Sequence, residues 1–377
     1  MTAENRDPWL LTPGPLTTSA TVKQAMLHDW GSRDPKFIAM NRRIRETILK
    51  LAGGEGTHVC VPMQGSGTFI VEATIATLLP RDGKLLVLVN GAYGHRMVKM
   101  CKYLGRACEF IEWPEDKPVD PDQVAAKLEN DKSITHVAVV HCETTSGILN
   151  PLSKVAEVAA RHNRSLLIDS MSAFGALPVD AREIHFDALM ASSNKCLEGA
   201  PGVGFAIIRQ SALEKCEGNS HSLSLDVYDQ WRGLEANGQW RFTPPTHVLA
   251  ALDVAIAEHA AEGGVAGRGG RYADNCRILV DGMRAMGFET LLPDTLQAPI
   301  IVTFHMPEDS SFDFGRFYDS LAARGFVIYP GKLTVAPSFR MGCIGRLGAD
   351  EMNGALDAVR EVVEQMGVTR LGPPKAA

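Results

Sequence analysis

A chain of 377 residues with 45% hydrophobic content is long enough for a large core and two domains. Charged residues make up 22% of it and the formal net charge is -6, so nothing in the electrostatic balance draws nucleic acid or an anionic membrane. The eight cysteines are dispersed with no CxxC pair, which removes zinc-ribbon and dithiol chemistry and fits a reduced, cytoplasmic protein.

The opening segment, MTAENRDPWLLTPGPL, lacks the apolar core of a signal peptide and is broken by prolines. Its turn cluster Thr12-Pro13-Gly14-Pro15 forbids regular structure, so residues 1–19 read as an arm. Beyond it, short apolar runs alternate with helical spacing. Strands are predicted over Lys84–Asn90, Ala107–Ile111, Thr135–His141, Ser165–Asp169, Ala188–Ser192 and Val203–Ile208. Helices are predicted over Gly67–Leu79, Gly94–Leu104, Asp122–Asn130 and Leu152–His162. Strands this short are buried-core length and cannot span a bilayer. Such alternation indicates an α/β fold in which a parallel sheet is covered on both faces.

From about Pro245 the texture changes. Two long helical stretches, His247–Glu262 and Gly270–Met286, lead into strands near Pro299–His305 and Phe339–Cys343. Helices near Phe312–Arg324 and Ala349–Met366 accompany them. The organisation expected is an arm over 1–19, a large domain over 20–258 and a smaller α+β domain over 259–377.

Three polar clusters fall at expected carboxyl edges of strands, where open parallel sheets bind ligands. Gln64-Gly65-Ser66-Gly67-Thr68 directly precedes a helix, and a glycine beside a helix start suits an anion. Its spacing matches neither the dinucleotide nor the Walker pattern, and a plain Gly/Ser turn has the same composition. Asp169 ends an apolar strand, either as a helix cap or as a buried anion holding a cation. Lys195, in Ser193-Asn194-Lys195-Cys196, follows another such strand, where an unpaired ammonium is costly to bury. It is either a surface lysine in a loop or a Schiff-base lysine. A phosphate cradle, an aspartate and a lysine are together the parts a pyridoxal 5'-phosphate (PLP) site needs.

These clusters, with Leu11-Thr-Pro-Gly-Pro15, Asn90-Gly-Ala-Tyr-Gly94 and His141-Cys-Glu-Thr-Thr-Ser-Gly147, make the chain resemble the class V aminotransferases of PLP fold type I. The resemblance runs nearly end to end and implies a mostly parallel seven-stranded sheet. LTPGPLTTS, HSLSLDVYDQWR, WRFTPPTH and GFVIYPGK are most similar to the 2-aminoethylphosphonate–pyruvate transaminase branch. That branch implies transfer of an amino group from 2-aminoethylphosphonate to pyruvate, giving phosphonoacetaldehyde and L-alanine. The alternative within the class is an alanine–glyoxylate or serine–pyruvate type.

The resemblance assigns Lys195 the bond to the cofactor and Asp169 the salt bridge to its ring nitrogen. It gives the cofactor phosphate to Ser66, Gly67 and Thr68, assisted by Asn194. Tyr93 matches a ring that stacks on the cofactor, and Thr145 a hydroxyl beside it. Thr243 matches a residue that reaches the neighbouring subunit's phosphate, which implies a homodimer with shared sites, and Trp240 beside it suits interface packing. Arg340 matches the arginine that clamps the substrate acid, for which its planar fork of donors is well shaped. The stretch 31–37 follows the broader class more than the branch. Arg33 within it is either a second anion contact or a solvated charge leading a helix.

Two other enzyme types lack what they need. A cysteine desulfurase requires a nucleophilic thiol ahead of the acid-binding arginine, and residues 331–338 contain none. Cys343 lies beyond that arginine, in an expected strand, and reads as a packed thiol. A nicotinamide dehydrogenase requires a differently spaced glycine loop.

Overall fold

The structure is a computed structural model, in which residues 7–333 and 336–373 are described. The first six residues of the expected arm, and positions 334–335 and 374–377 of the expected small domain, lie outside the described residues.

From edge to edge the seven-stranded sheet runs His58–Gln64, Val203–Arg209, Ala188–Ser192, Ser165–Asp169, His136–Val140, Lys84–Val89 and Ala107–Glu112. Val203–Arg209 is antiparallel to both neighbours, and every other pairing is parallel. The six strands expected from residue pattern are present, each within one residue at its ends. The seventh, His58–Gln64, escapes the pattern because Pro62 breaks the run. An edge strand tolerates proline, since only one side must donate to the ladder.

Pleating sends alternate residues into two separate cores. In Lys84–Val89, Leu86 and Leu88 pack on one face, while Leu85, Val87 and Val89 pack on the other. Each fully buried side chain of this kind contributes roughly 1.5–3 kcal/mol. Helices Pro35–Leu51, Pro121–Asn130, Leu152–Arg161 and Thr246–Ala261 bury apolar residues on the first face. Gly67–Leu78, Ala92–Leu104 and Val227–Asn237 cover the second. Pro35–Leu51 and Val227–Asn237 were not singled out by pattern, although each carries a start signal. Asp34 caps the first, with Pro35 in its opening turn, and Asp226 caps the second.

A third core fills the space around a three-stranded antiparallel sheet ordered Ile301–His305, Ser338–Gly342, Tyr329–Pro330. Gly264–Met286, Phe314–Ala323 and Ala349–Met366 enclose it. Gly264–Met286 begins six residues before the expected start. Glycines at 264, 267, 269 and 270 lower helix propensity there and hide the element. Gly269 is required by close approach, because a Cβ on it would lie 2.3 Å from the Ala176 carbonyl oxygen. The expected division at 258/259 falls inside the continuous helix Thr246–Ala261. No helix among the described residues is long and apolar enough to cross a membrane.

Candidate active site

Six of the seven strands point the same way, so their carboxyl ends and the loops after them gather at one edge of the sheet. There a cavity of about 310 Å³ is lined by residues from five such loops and from the arm. Of the residues expected in a site, Ser66, Gly67, Thr68, Tyr93, Asp169, Asn194 and Lys195 all line it.

Ser66 is the N-cap of helix Gly67–Leu78, yet its hydroxyl makes no capping bond. The helix start therefore lacks a side-chain cap at the cavity, and the helix dipole adds positive potential there. Asp169 ends its strand fully buried and accepts a 3.0 Å bond from the Met171 amide. Burial pushes its carboxyl up to about 6, against the Met171 bond and the charges of Arg96 and Lys195. Burial likewise pulls the Lys195 ammonium down to about 8, so much of it is a free amine in mildly alkaline water. The Lys195 amine donates to the carbonyl of Pro13, which brings the arm into the cavity wall. Beside it, the Ser192 hydroxyl donates to the Asn194 side-chain oxygen at 3.0 Å.

Tyr93 lies in the first turn of helix Ala92–Leu104 rather than at a strand end. Thr145 does not line the cavity. It is fully buried, donates its hydroxyl to Glu143, and accepts a long 3.4 Å bond from the Ala92 amide. Thr243 lies elsewhere, exposed beside a separate cavity of about 450 Å³ lined by Gln64, Gly65, Phe69 and Trp240 among others. Trp240 donates to Asn41 at 3.2 Å within the same chain. Arg33 is exposed one residue before the Asp34 cap, a solvated charge leading a helix.

Arg340 is buried on the central strand of the three-stranded sheet. It donates to the carbonyl of Thr144, a cavity residue, at 2.7 Å and to the Pro330 carbonyl at 3.1 Å. Its guanidinium therefore stands directly behind the cavity wall. Cys343 follows the strand end and is fully buried.

Three neighbours were not singled out by sequence. Arg96 lines the cavity, donates to the Thr68 hydroxyl at 3.0 Å, and lies 4.6 Å from the Tyr93 ring centroid. Helical spacing offered the signal, since Arg96 is one turn beyond Tyr93. Glu143 is fully buried and accepts from the Tyr93 amide at 3.1 Å, and burial raises its carboxyl. Lys332 places its amine 5.4 Å from the Tyr93 ring centroid. Neither residue lines the cavity, and no spacing links them to Tyr93, because separate elements bring them there.

A fit to PLP can be judged from these donors. An open helix start suits a phosphate, a buried carboxylate suits a protonated ring nitrogen, and a partly neutral lysine suits an aldehyde. The residues present fit that group.

The Aminotransferase class-V pattern matches residues 20–342. A 2-aminoethylphosphonate–pyruvate transaminase 2 of Burkholderia lata is 56% identical over 370 residues, covering 98% of each chain. A 2-aminoethylphosphonate–pyruvate transaminase of Pseudomonas putida is 55% identical, over 96% of this chain and 98% of its own. Among solved structures, ureidoglycine–glyoxylate aminotransferase from Bacillus subtilis superposes with a TM-score of 0.89 at 20% identity, covering 97% of this chain and 95% of that one. Pyridoxamine–pyruvate aminotransferase from Mesorhizobium loti gives 0.88 at 24%, with the same coverage.

Proposed function

Since the chain belongs to the class V aminotransferases, we propose that it transfers the amino group of 2-aminoethylphosphonate to pyruvate, giving phosphonoacetaldehyde and L-alanine in phosphonate breakdown. The observation that carries this reading is the enclosure of Lys195, Asp169 and the open helix start at Ser66 by one cavity. The choice of substrates rests on the relatives above, which bear that name at 55–56% identity over nearly their whole length.

PLP, when bound, supplies the aldehyde that takes up the amino group and the electron sink that makes the adjacent C–H acidic. The protein's own groups do the rest. Ser66, Gly67, Thr68 and Asn194 would hold the PLP phosphate, and Tyr93 would pack against its ring. Asp169 would keep the ring nitrogen protonated, and that cation would offset the cost of its own buried charge. The Lys195 amine, partly neutral in its buried setting, would accept the proton from the amine-bearing carbon of the substrate. Arg340 fixes the acid head through its planar fork of donors. Thr145 would act indirectly, by fixing the Glu143 carboxyl that accepts from the Tyr93 backbone amide.

Thr243 serves the site of a second copy, so the active form is a homodimer with shared sites. Its exposure away from its own cavity supports that reading. The free cysteines suit a reducing, cytoplasmic setting, and the small-molecule substrates call for no nucleic acid or membrane partner.

The test is the visible absorption of the purified holoenzyme. Loss of the lysine–cofactor band on adding 2-aminoethylphosphonate, and its return with pyruvate, is the expected result. Loss only with L-alanine or L-serine moves the protein to the alanine–glyoxylate type. Absence of the band after PLP is supplied, or activity surviving in a folded Lys195→Ala variant, overturns the role of Lys195.

A further inference from the structure

Three cations converge around Tyr93. The Arg96 guanidinium lies 4.6 Å and the Lys332 amine 5.4 Å from its ring centroid. Arg340 stands beside them, 5.1 Å from the ring of Tyr329, its partner across the sheet. Among the described residues none of the three forms an ion pair with a carboxylate. The acids that act on them are both buried, Glu143 on Lys332 and Arg340 and Asp169 on Arg96, and burial raises both carboxyls. Arg96 and Arg340 both depress the Lys332 ammonium, after burial itself, so the cations already repel one another.

Like charges held this close with no ion-paired carboxylate are stabilised by anions from outside the chain. Arg96 bonds Thr68 and thus belongs to the phosphate end of the cavity. Lys332 shares the Tyr93 ring with Arg96, and Arg340 meets the cavity wall through the Thr144 carbonyl. Arg340 has already given donors to Thr144 and Pro330, which leaves part of its fork for a ligand. One arginine balances one carboxylate. The phosphonate of 2-aminoethylphosphonate loses its second proton more readily because of the nearby ammonium, and its dianion is balanced better by two cations than by one.

Resting on the transaminase reading above, we propose that Lys332 is a specificity residue: with Arg340 it forms a two-cation subsite that selects doubly charged phosphonate heads over carboxylates. Arg340 binds either head. Lys332 supplies the charge that only the dianion uses, as a mobile point charge at the rim rather than a planar clamp.

The experiment uses the holoenzyme, titrated by calorimetry at pH 8 with ethylphosphonate and, separately, propanoate. Wild type is expected to bind ethylphosphonate more tightly. Lys332→Met keeps the alkyl stem and is expected to weaken ethylphosphonate on the order of 10-fold while changing propanoate less than about 2-fold. Lys332→Arg is expected to retain most of the preference. Equal weakening of both ligands would mean a structural role and overturns the proposal, as does an unchanged ratio or a wild type without preference. Wild-type turnover of 2-aminoethylphosphonate, measured alongside, tests the transaminase reading separately. Turnover with an unchanged ligand ratio in Lys332→Met removes this inference and leaves the reaction standing.

Discussion

Gly14 lies against Lys195 so closely that a Cβ added to it would sit 2.5 Å from the lysine nitrogen and 3.0 Å from Cδ and Cε. Its φ of +120° is one that side chains rarely adopt, so the backbone favours glycine, and a larger residue would also have to displace the end of the lysine. The adjacent Pro13 carbonyl accepts from the same amine. The arm therefore sets the resting position of the lysine.

Replacing Gly14 by Ala is expected to push the arm or the lysine aside. The strain at such a backbone is on the order of 1–3 kcal/mol, enough to weaken PLP capture by roughly 10-fold. Titration of the apoenzyme with PLP, followed by the visible band, measures it. Wild-type affinity in the Ala variant would mean that the arm does not position Lys195.

Asp169 is expected to destabilise the protein when no cofactor is bound. Its folded pKa, about 6, stands above the ordinary carboxylate value of 3.8 because burial outweighs its favourable contacts. Stability from this group is thus fully present below about pH 4 and is lost as pH rises through about 6. The loss above that range is at most about 3 kcal/mol, from a shift of about two units. Apo Asp169→Asn should therefore melt above apo wild type at pH 8 and lose that advantage near pH 4. Scanning calorimetry across pH decides the matter, and a difference that does not vary with pH would count against a buried ionised Asp169.

The fold and the chemical residues were legible to different degrees. Ser165–Asp169 and Ala188–Ser192 are visible as apolar runs of strand length; the first ends on Asp169, which lines the cavity, and the second stops three residues before Lys195, which also does. Residue chemistry alone could thus pair Asp169 with Lys195. Arg340 was assigned only through resemblance, because strand pairing and a bond to Thr144 bring it behind the wall from a separate sheet. Glu143 was hidden inside a recognised motif, where only burial reveals that its carboxyl supports Tyr93. Lys332 followed neither a strand edge nor a helical period. The glycine-rich start of Gly264–Met286 was missed for the opposite reason, since close packing there overrides poor propensity.

The Lys195 amine should set the pH dependence of cofactor capture. Burial lowers its pKa to about 8 in the folded protein, and only the neutral amine attacks an aldehyde. Capture of PLP by the apoenzyme is expected to quicken about 10-fold per pH unit below that value and to level off above it. Stopped-flow absorbance from pH 6 to about 10 resolves the curve. A midpoint near the ordinary lysine value of 10.5 would show that the amine is solvated in the apoenzyme.

Shared sites make a sharper prediction about Thr243, since its cavity is separate from the one containing Lys195. Thr243→Asp places a negative charge where a phosphate of the second copy would lie, so homodimers of that variant should bind PLP poorly. Lys195→Ala homodimers should bind it without the lysine bond. When the two variants are unfolded together and reassembled, a mixed dimer carries both defects in one site and neither in the other. Random pairing then restores about one site in four, seen as returning transaminase activity and lysine-bound colour. If Thr243 instead served the site of its own chain, each mixed dimer would hold two singly damaged sites and neither signal would return. The outcome separates the two arrangements without a measurement of size, because complementation requires that Thr243 and Lys195 of one site come from different chains.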